Sequence, residues 1–414
     1  MSSILVVLWI FSARRRSIDW SLVAKGLLLQ LLFAILVLKS TWGQGFFRVV
    51  NDVFIALIGY TNSGAAFLFG GLVDPTVPVT GGGGGSVHLN AHFAFSVLTT
   101  IIFFSALMTL LYYLGIMQRV VRGVAWLMQK SLRTSGAETV SAAGNIFVGQ
   151  TEAPLLIKPF VATMTDSELN TVMTGGFATV AGGVMAAYVG MLYTFFPTIA
   201  GHLLAASIMA APAGIVVSKM LFPETEEPKT RGSLRLELEQ PYVNVIDAAA
   251  GGAADGLRLA LNVGAMLLAF LALIALGNGL LGWLLGLFGV EGVTLETIFG
   301  WLFAPVAWIL GIPWADAVHV GSLFGMKMVA NEFVAFQSLA TDLATGTQLS
   351  PKSVVMTTYA LTGFANFSSI AIQIGGIGGI APERRHDLSR LGLRAMLGGT
   401  TATWMTATLA GVLA

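Results

Sequence analysis

The sequence predicts an all-α polytopic membrane protein, and three observations carry that prediction. Of the 414 residues, 55% are hydrophobic and only 10% are charged, against about 25% charged in an ordinary soluble domain. The mean hydropathy is +0.80. Apolar runs of spanning length recur along the chain, and two of them hold a carboxylate beside an amide side chain. These features predict about eight transmembrane helices, given the roughly 20 apolar residues each needs, with two re-entrant hairpins and interfacial amphipathic helices. The net charge of +1 points to no nucleic-acid partner. The absence of cysteine excludes disulfides and thiolate metal sites.

Residues 1–12, MSSILVVLWIFS, are apolar but shorter than a full span, and Arg14, Arg15 and Arg16 follow them. That is the reverse of a signal peptide's charge order, so the expectation is a first spanning helix that is short or has lost its start. Residues 22–41 are long enough to span. Residues 46–60 alternate polar and apolar side chains at helical spacing and read as interfacial or interhelical. Five glycines at 81–85 come before His88 and His92 without the Lys and Ser/Thr of a phosphate cradle, which predicts a flexible linker. Residues 93–116 span and end at Tyr112 and Tyr113, as membrane interfaces favour. Within 117–134, Arg119, Arg122, Lys130 and Arg133 lie against Val, Trp and Leu, the pattern of an amphipathic interfacial helix.

Residues 138–163 set Asn145, Gln150, Thr151 and Glu152 among apolar residues, with Pro154 and Pro159 close behind. A backbone in lipid has to satisfy itself, and proline removes a donor. The stretch therefore reads as a re-entrant hairpin whose non-helical tip lines a cavity. Residues 169–195 are rich in Gly and Thr, which allows close helix packing. Residues 201–222 span, and 223–241 form a charged loop. A small-residue helix at 244–256 precedes a long span at 257–289, and an aromatic segment at 294–312 ends at Pro313. Residues 314–345 place Glu332 beside Asn331 in an apolar run and read as a second hairpin. Residues 351–380 are interrupted at Asn366, Ser368 and Ser369, and 391–413 is the last span.

Basic residues set the orientation. Stretches 14–16, 117–134, 219–235 and 384–394 hold 15 of the 22 Lys and Arg, so that side should be cytoplasmic. The first hairpin then enters from the cytoplasm and the second from outside. Hairpin followed by broken helix, repeated in opposite senses, is the inverted-repeat pattern of a transporter with a midplane site.

Glu152 and Glu332 are the two acidic residues placed deep in these hairpins. An ionisable group there costs about 3 kcal/mol on insertion scales; it persists when it meets a partner, a polar ligand or a proton. The bland alternative for each is a structural carboxylate capping a hairpin tip. Asn145 and Thr179, with carbonyls freed by unwound helix, offer the neutral oxygens a hard monovalent cation wants, although threonine among small residues is also ordinary helix packing. Asn366 and Ser369 share a helix face, with Phe364 and Phe367 beside them. No HExxH, GxSG or GxGD motif is present, and the histidines at 88, 92, 202, 319 and 386 show no ligand spacing, so no enzymatic activity is expected. A channel is the rival class, since polar hairpins also line filters, but no repeated filter-like carbonyl run is present.

The run GNIFVGQTEAPLLIKPF resembles the first-hairpin signature of the concentrative nucleoside transporters. FATVAGGVMAAYVG resembles the helix after it, NEFVAF the second hairpin, and YALTGFANFSSIAIQIGGIG the following broken helix. FLFGGL at 67–72 and PETE at 223–226 also fit, and the resemblance covers roughly residues 20–410. It implies a homotrimer in the bacterial inner membrane, with a scaffold (1–116 and 257–312) around an elevator-type transport domain (117–256 and 313–414). That domain would carry a nucleoside such as uridine inward with sodium; proton coupling is the alternative. The resemblance places Gln150, Thr151 and Glu152 at the nucleobase, with Val184 and Phe364 packed on it. It gives Glu332, Asn366 and Ser369 to the ribose hydroxyls. It assigns sodium to the side chains of Asn145 and Thr179 and the carbonyls of Val148, Thr179 and Val180. The ion-site hydroxyl is Thr179 where many relatives would have serine.

Overall fold

Apolar runs become helices here because only internal hydrogen bonding satisfies a backbone surrounded by lipid. The structure, a computed structural model, describes residues 1–73, 76–78, 86–88, 93–232 and 242–413. The glycine linker at 81–85, His92 and the end of the charged loop at 233–241 lie outside the described residues.

The chain opens with α1 (Ser2–Ile10), short as expected, then α2 (Trp20–Leu38), α3 (Thr41–Phe69), α4 (Leu98–Tyr113) and α5 (Ile116–Leu132). Two three-residue strands, Thr76–Pro78 and Ser86–His88, pair antiparallel between α3 and α4. The first hairpin goes in as α6 (Gly136–Gly144) and returns through a 3₁₀ turn, Ala153–Ile157, and α7 (Lys158–Val161). Next come α8 (Asp166–Ala178) and α9 (Gly182–Leu192), one helix broken at 179–181, and α10 (Ile199–Leu221). The second half contains α11 (Val245–Gly286) and α12 (Leu295–Leu310), then the second hairpin, α13 (Trp314–Val329) and α14 (Glu332–Ala344). A second broken helix, α15 (Pro351–Leu361) and α16 (Phe367–Ile380), precedes α17 (Arg385–Leu413).

Among the described residues, six helical stretches are long and apolar enough to cross a bilayer, and α12 and α13 form a pair bent by 118°. Two sequence readings are corrected. Residues 46–60, read as interfacial or interhelical, belong to the spanning-length stretch Thr41–Val73 and meet α10 through Asn51, so the interfacial alternative is the one corrected. Residues 244–256 and 257–289 are not two elements, because α11 runs unbroken for 42 residues. The interruption expected at Asn366, Ser368 and Ser369 falls at 362–366, with both serines already in the first turn of α16. In α5 the amphipathic reading holds: Met117, Val121, Ala125, Met128 and Leu132 face inward at helical spacing.

Burial separates two kinds of helix. The α8–α9 stretch is 89% buried and α10 83%, whereas the apolar windows of α3 and α11 are only 11% and 17% buried. Helices that apolar and that exposed need lipid or another protein surface around them. Close approach depends on small residues. A Cβ on Gly252 would lie 2.7 Å from Thr109 and one on Gly256 2.8 Å from the Ile102 backbone, so this GxxxG stripe seats α11 on α4. Gly399 does the same for α17, where a Cβ would come within 2.3 Å of Phe177.

The base of the first hairpin is fixed by charge. Ser135 with Glu138, and Thr165 with Glu168, form capping boxes that start α6 and α8. Lys219, buried near the end of α10, pairs with Glu138 at 2.8 Å and Glu224 at 3.3 Å and donates to Ser167 at 3.0 Å. Removing one partner of a buried pair strands the other charge. Lys219→Met is therefore expected to destabilise the fold by roughly 3–5 kcal/mol, read as a lower melting midpoint in detergent; an unchanged midpoint would contradict this role.

Candidate functional site

The two hairpin tips and the two helix breaks meet. Gly363 shows how tightly. Its φ of +99° lies in the region that favours glycine, and a Cβ there would sit 2.6 Å from the Phe177 carbonyl oxygen and 2.8 Å from the Ala178 carbonyl carbon. The break after α15 thus rests on the end of α8. Gly363→Ala combines this clash with a left-handed-region penalty of roughly 1–2 kcal/mol. A lowered melting midpoint is expected; an unchanged one would show that the breaks do not abut.

Between these elements lies a cavity of about 110 Å³. The first hairpin lines it with Gln150, Thr151 and Glu152, and α9 with Val184. The second hairpin contributes Glu332, and the second broken helix Phe364, Asn366 and Ser369. All eight residues expected to hold substrate therefore share one wall. Phe367 is not among them; it lies outside the cavity and is half exposed.

Hydrogen bonds order this wall. Asn366 caps α16 by accepting from the Ser369 amide at 2.8 Å, and its Nδ2 donates to a Glu332 carboxylate oxygen at 2.7 Å. Ser368 Oγ donates to the same Asn366 Oδ1 at 2.7 Å. Gln150 Nε2 donates to Ser369 Oγ at 3.2 Å and Gln150 Oε1 accepts from Gln373 at 2.9 Å. Glu332 is the first residue of α14, and α9 and α16 also begin at this cavity. Three positive helix ends therefore surround it and favour electron-rich groups. Tyr188, fully buried behind the cavity, stacks on Phe336 with ring centroids 4.3 Å apart and lies beside Glu332.

A larger cavity of about 320 Å³ adjoins it, sharing Gly149, Glu152, Ala181 and Leu259 and bounded by Tyr112, Tyr113 and Tyr242. Glu152 stands at the junction of the two.

The expected ion ligands gather at the first break. Asn145 is fully buried, and neither its Oδ1 nor its Nδ2 has a hydrogen-bond partner among the described residues. A Cβ on Gly175 of α8 would lie 3.4 Å from that amide. Thr179 donates its hydroxyl to the Gly175 carbonyl at 2.9 Å, leaving its oxygen lone pairs free to accept. Among the described residues, the carbonyls of Val148, Thr179 and Val180 accept no backbone hydrogen bond. A buried orphaned amide beside unpaired carbonyls is a neutral oxygen set, and it fits a hard monovalent cation.

Several wall residues escaped the sequence reading. Gln373 is buried, donates to Gln150 and to the Met173 carbonyl, and holds the Gln150 amide in place. The 366, 369, 373 spacing on one helix face was the available signal. Asn331 caps α14 and keeps an unpartnered Nδ2 beside the cavity. Leu259, Val263 and Met266 close the cavity from α11. Glu138 is a third buried hairpin carboxylate, absorbed by Lys219.

Paired hairpins and broken helices around a polar cavity, carried on outward-facing apolar helices, define the class of alternating-access solute transporters. Profiles described as Na+ dependent nucleoside transporter N-terminus and C-terminus match residues 1–72 and 202–411, and one described as nucleoside recognition matches 94–195. The chain belongs to the sodium-dependent nucleoside transporter family. It is 45% identical to the uncharacterized transporter YutK of Bacillus subtilis, over 99% of this chain and 97% of that one. It is 40% identical to sodium/nucleoside cotransporter 1 of Mus musculus over 99% of this chain, which spans 62% of that longer protein. Among solved structures, CNTnw in an inward-facing substrate-bound state superposes with a TM-score of 0.89 at 44% identity, covering 100% of this chain and 96% of that one. A CNTnw variant in an outward-facing state gives a TM-score of 0.91, also at 44% identity, over 100% and 95%.

Proposed function

We propose that this chain imports nucleosides such as uridine across a bacterial inner membrane, driven by sodium moving down its gradient. What carries this reading is the single cavity shared by both hairpin tips and both helix breaks. In it, Gln150, Thr151 and Glu152 face the base, with Val184 and Phe364 packed on the ring. Glu332 accepts from two ribose hydroxyls, a charge-assisted arrangement stronger than neutral pairing; Asn366 and Ser369 complete the sugar contacts. Sodium rests on the Asn145 and Thr179 side chains and the carbonyls of Val148, Thr179 and Val180. It thereby locks the first hairpin against α8.

The cavity volume supports a moving site. At about 110 Å³ it is below the roughly 300 Å³ of an ordinary ligand pocket. Substrate therefore seats only when a wall withdraws. Leu259, Val263 and Met266 form that wall, and all three belong to α11, one of the exposed outer helices. Sliding residues 117–256 and 313–414 past a scaffold of 1–116 and 257–312 would open and close it, which is an elevator movement. Because α11 is continuous across residue 256 and seats Gly252 and Gly256 on α4, the moving part ends before Val245 and residues 245–256 belong with the scaffold. The exposed apolar faces of α3 and α11 suit lipid and the contacts of a homotrimer. The cargo leaves chemically unchanged, so the protein acts as a carrier and not as an enzyme.

Counterflow of radiolabelled uridine in liposomes, with and without sodium, tests this reading. Sodium-dependent accumulation is expected. Accumulation without sodium but driven by a proton gradient would transfer the coupling to a carboxylate, and flux without accumulation would make the protein a channel.

A further inference from the structure

Lys327 was not assigned a role in the site above, yet it is almost wholly buried in the second hairpin, near enough to the Glu332 carboxylate for the two charges to interact. Its Nζ donates to the carbonyl oxygens of Ala360 at 2.8 Å and Thr362 at 3.1 Å. These lie at the end of α15, where a helix leaves its last acceptors unpaired.

The first half is built alike at its own break. There α8 ends at Ala178 and is capped by Thr179, as α15 ends at Leu361 and is capped by Thr362. Each threonine turns its hydroxyl back onto the carbonyl four residues earlier, Gly175 in one half and Thr358 in the other, at 2.9 and 2.8 Å. In the first half the hairpin arm brings Asn145, whose amide is unpartnered, beside Gly175 of α8, where a Cβ would lie 3.4 Å from the amide. In the second it brings an ammonium group already bonded to two carbonyls at the end of α15.

We propose that the Lys327 ammonium is a built-in cation, standing in the second half where sodium stands in the first. The inference rests on the sodium reading of Asn145 and Thr179. One half exchanges its cation with solution in every cycle and the other keeps its own, so one sodium accompanies each nucleoside. The second hairpin then stays locked to its broken helix whether or not sodium is present, and only the first hairpin responds to the ion. The helix end supplies what a buried ammonium needs, since carbonyl dipoles offset its desolvation.

Uridine binding to the purified full-length protein, titrated with NaCl against choline chloride at constant ionic strength, tests this. The wild type should follow sodium with a Hill coefficient of about one. Lys327→Ala exposes the α15 carbonyls to a second ion. Its binding should need roughly tenfold more sodium, with a Hill coefficient near two, and recover at high sodium. A wild-type sodium curve in the variant would overturn the proposal. So would a folded variant, judged by gel filtration and melting, whose lost binding no sodium concentration restores. Should the variant not fold, the charge carried per uridine by the wild type in voltage-clamped proteoliposomes decides: one supports the proposal and two overturns it. Wild-type binding indifferent to sodium would instead remove the sodium reading itself, and this inference with it.

Discussion

Replacing Glu332 with alanine is expected to weaken uridine binding by roughly 100-fold or more, since each hydrogen bond to a charged group contributes about 1.5–3 kcal/mol and two are lost. The loss comes from the sugar. Two vicinal hydroxyls, stripped of water in a cavity walled by Val184 and Phe364, have no other anionic acceptor on that wall within the second half. Asn366 also loses the acceptor it now holds at 2.7 Å. The helix itself should survive, because Asn331 caps α14 independently of the carboxylate. Calorimetry with uridine in saturating sodium measures the effect, and the melting midpoint controls for folding. A second ligand sharpens the assignment. Wild-type protein should bind 3′-deoxyuridine roughly tenfold less tightly than uridine, as one charged hydrogen bond is worth, whereas the variant should barely distinguish the two. A variant that binds uridine like wild type would refute the ribose role of Glu332.

Asn145→Ala should have a comparable effect by another route. The amide is buried and has no partner of its own, so little in the fold depends on it except what it is there to coordinate. If sodium rests there as proposed, the carbonyls of Val148, Thr179 and Val180 remain in the variant but the ion loses a side-chain ligand. Half-saturating sodium is expected to rise at least roughly tenfold, with uptake at ordinary sodium falling in parallel, because ion and nucleoside are linked through one hairpin. Uptake measured against external sodium in proteoliposomes reads both. Unaltered sodium dependence would remove Asn145 from the ion site.

These two residues were legible in the sequence for a simple reason. A charge or an amide inside an apolar, proline-broken run has few structural explanations, so Glu152, Glu332 and Asn145 stood out before any neighbour was known. The cavity confirmed that the two hairpins face one another. Readings failed where a polar residue finds a protein partner that sequence does not display. Residues 46–60 seemed interfacial because Arg48, Asn51 and Asp52 interrupt them, yet Asn51 is buried and accepts from the Gly201 amide of α10 at 3.2 Å. A polar side chain satisfied by another helix leaves α3 free to span. The small-residue segment 244–256 and the span after it read as two elements in the sequence, but α11 runs through both, and Gly252 and Gly256 are contact points against α4. Met266 could not be singled out either. Its role depends on which helix lies opposite, and no local pattern records that.

The repeat of hairpin and broken helix was also visible in the sequence, but its asymmetry was not. Lys327 sits in an ordinary-looking helix, and only the carbonyls of Ala360 and Thr362 reveal what it holds. On the proposal above, the two halves share a frame while treating charge differently: one takes its cation from solution, the other from its own chain.

A structure of the purified protein with uridine and sodium bound offers the most direct test. Nucleoside is expected between the hairpin tips, its ribose on Glu332 and Asn366 and its base between Phe364 and the Gln150–Glu152 tip, with Leu259, Val263 and Met266 of α11 drawn back from the cavity. Nucleoside lodged instead in the larger cavity, among Tyr112, Tyr113 and Tyr242, with the space between the hairpins closed, would contradict it.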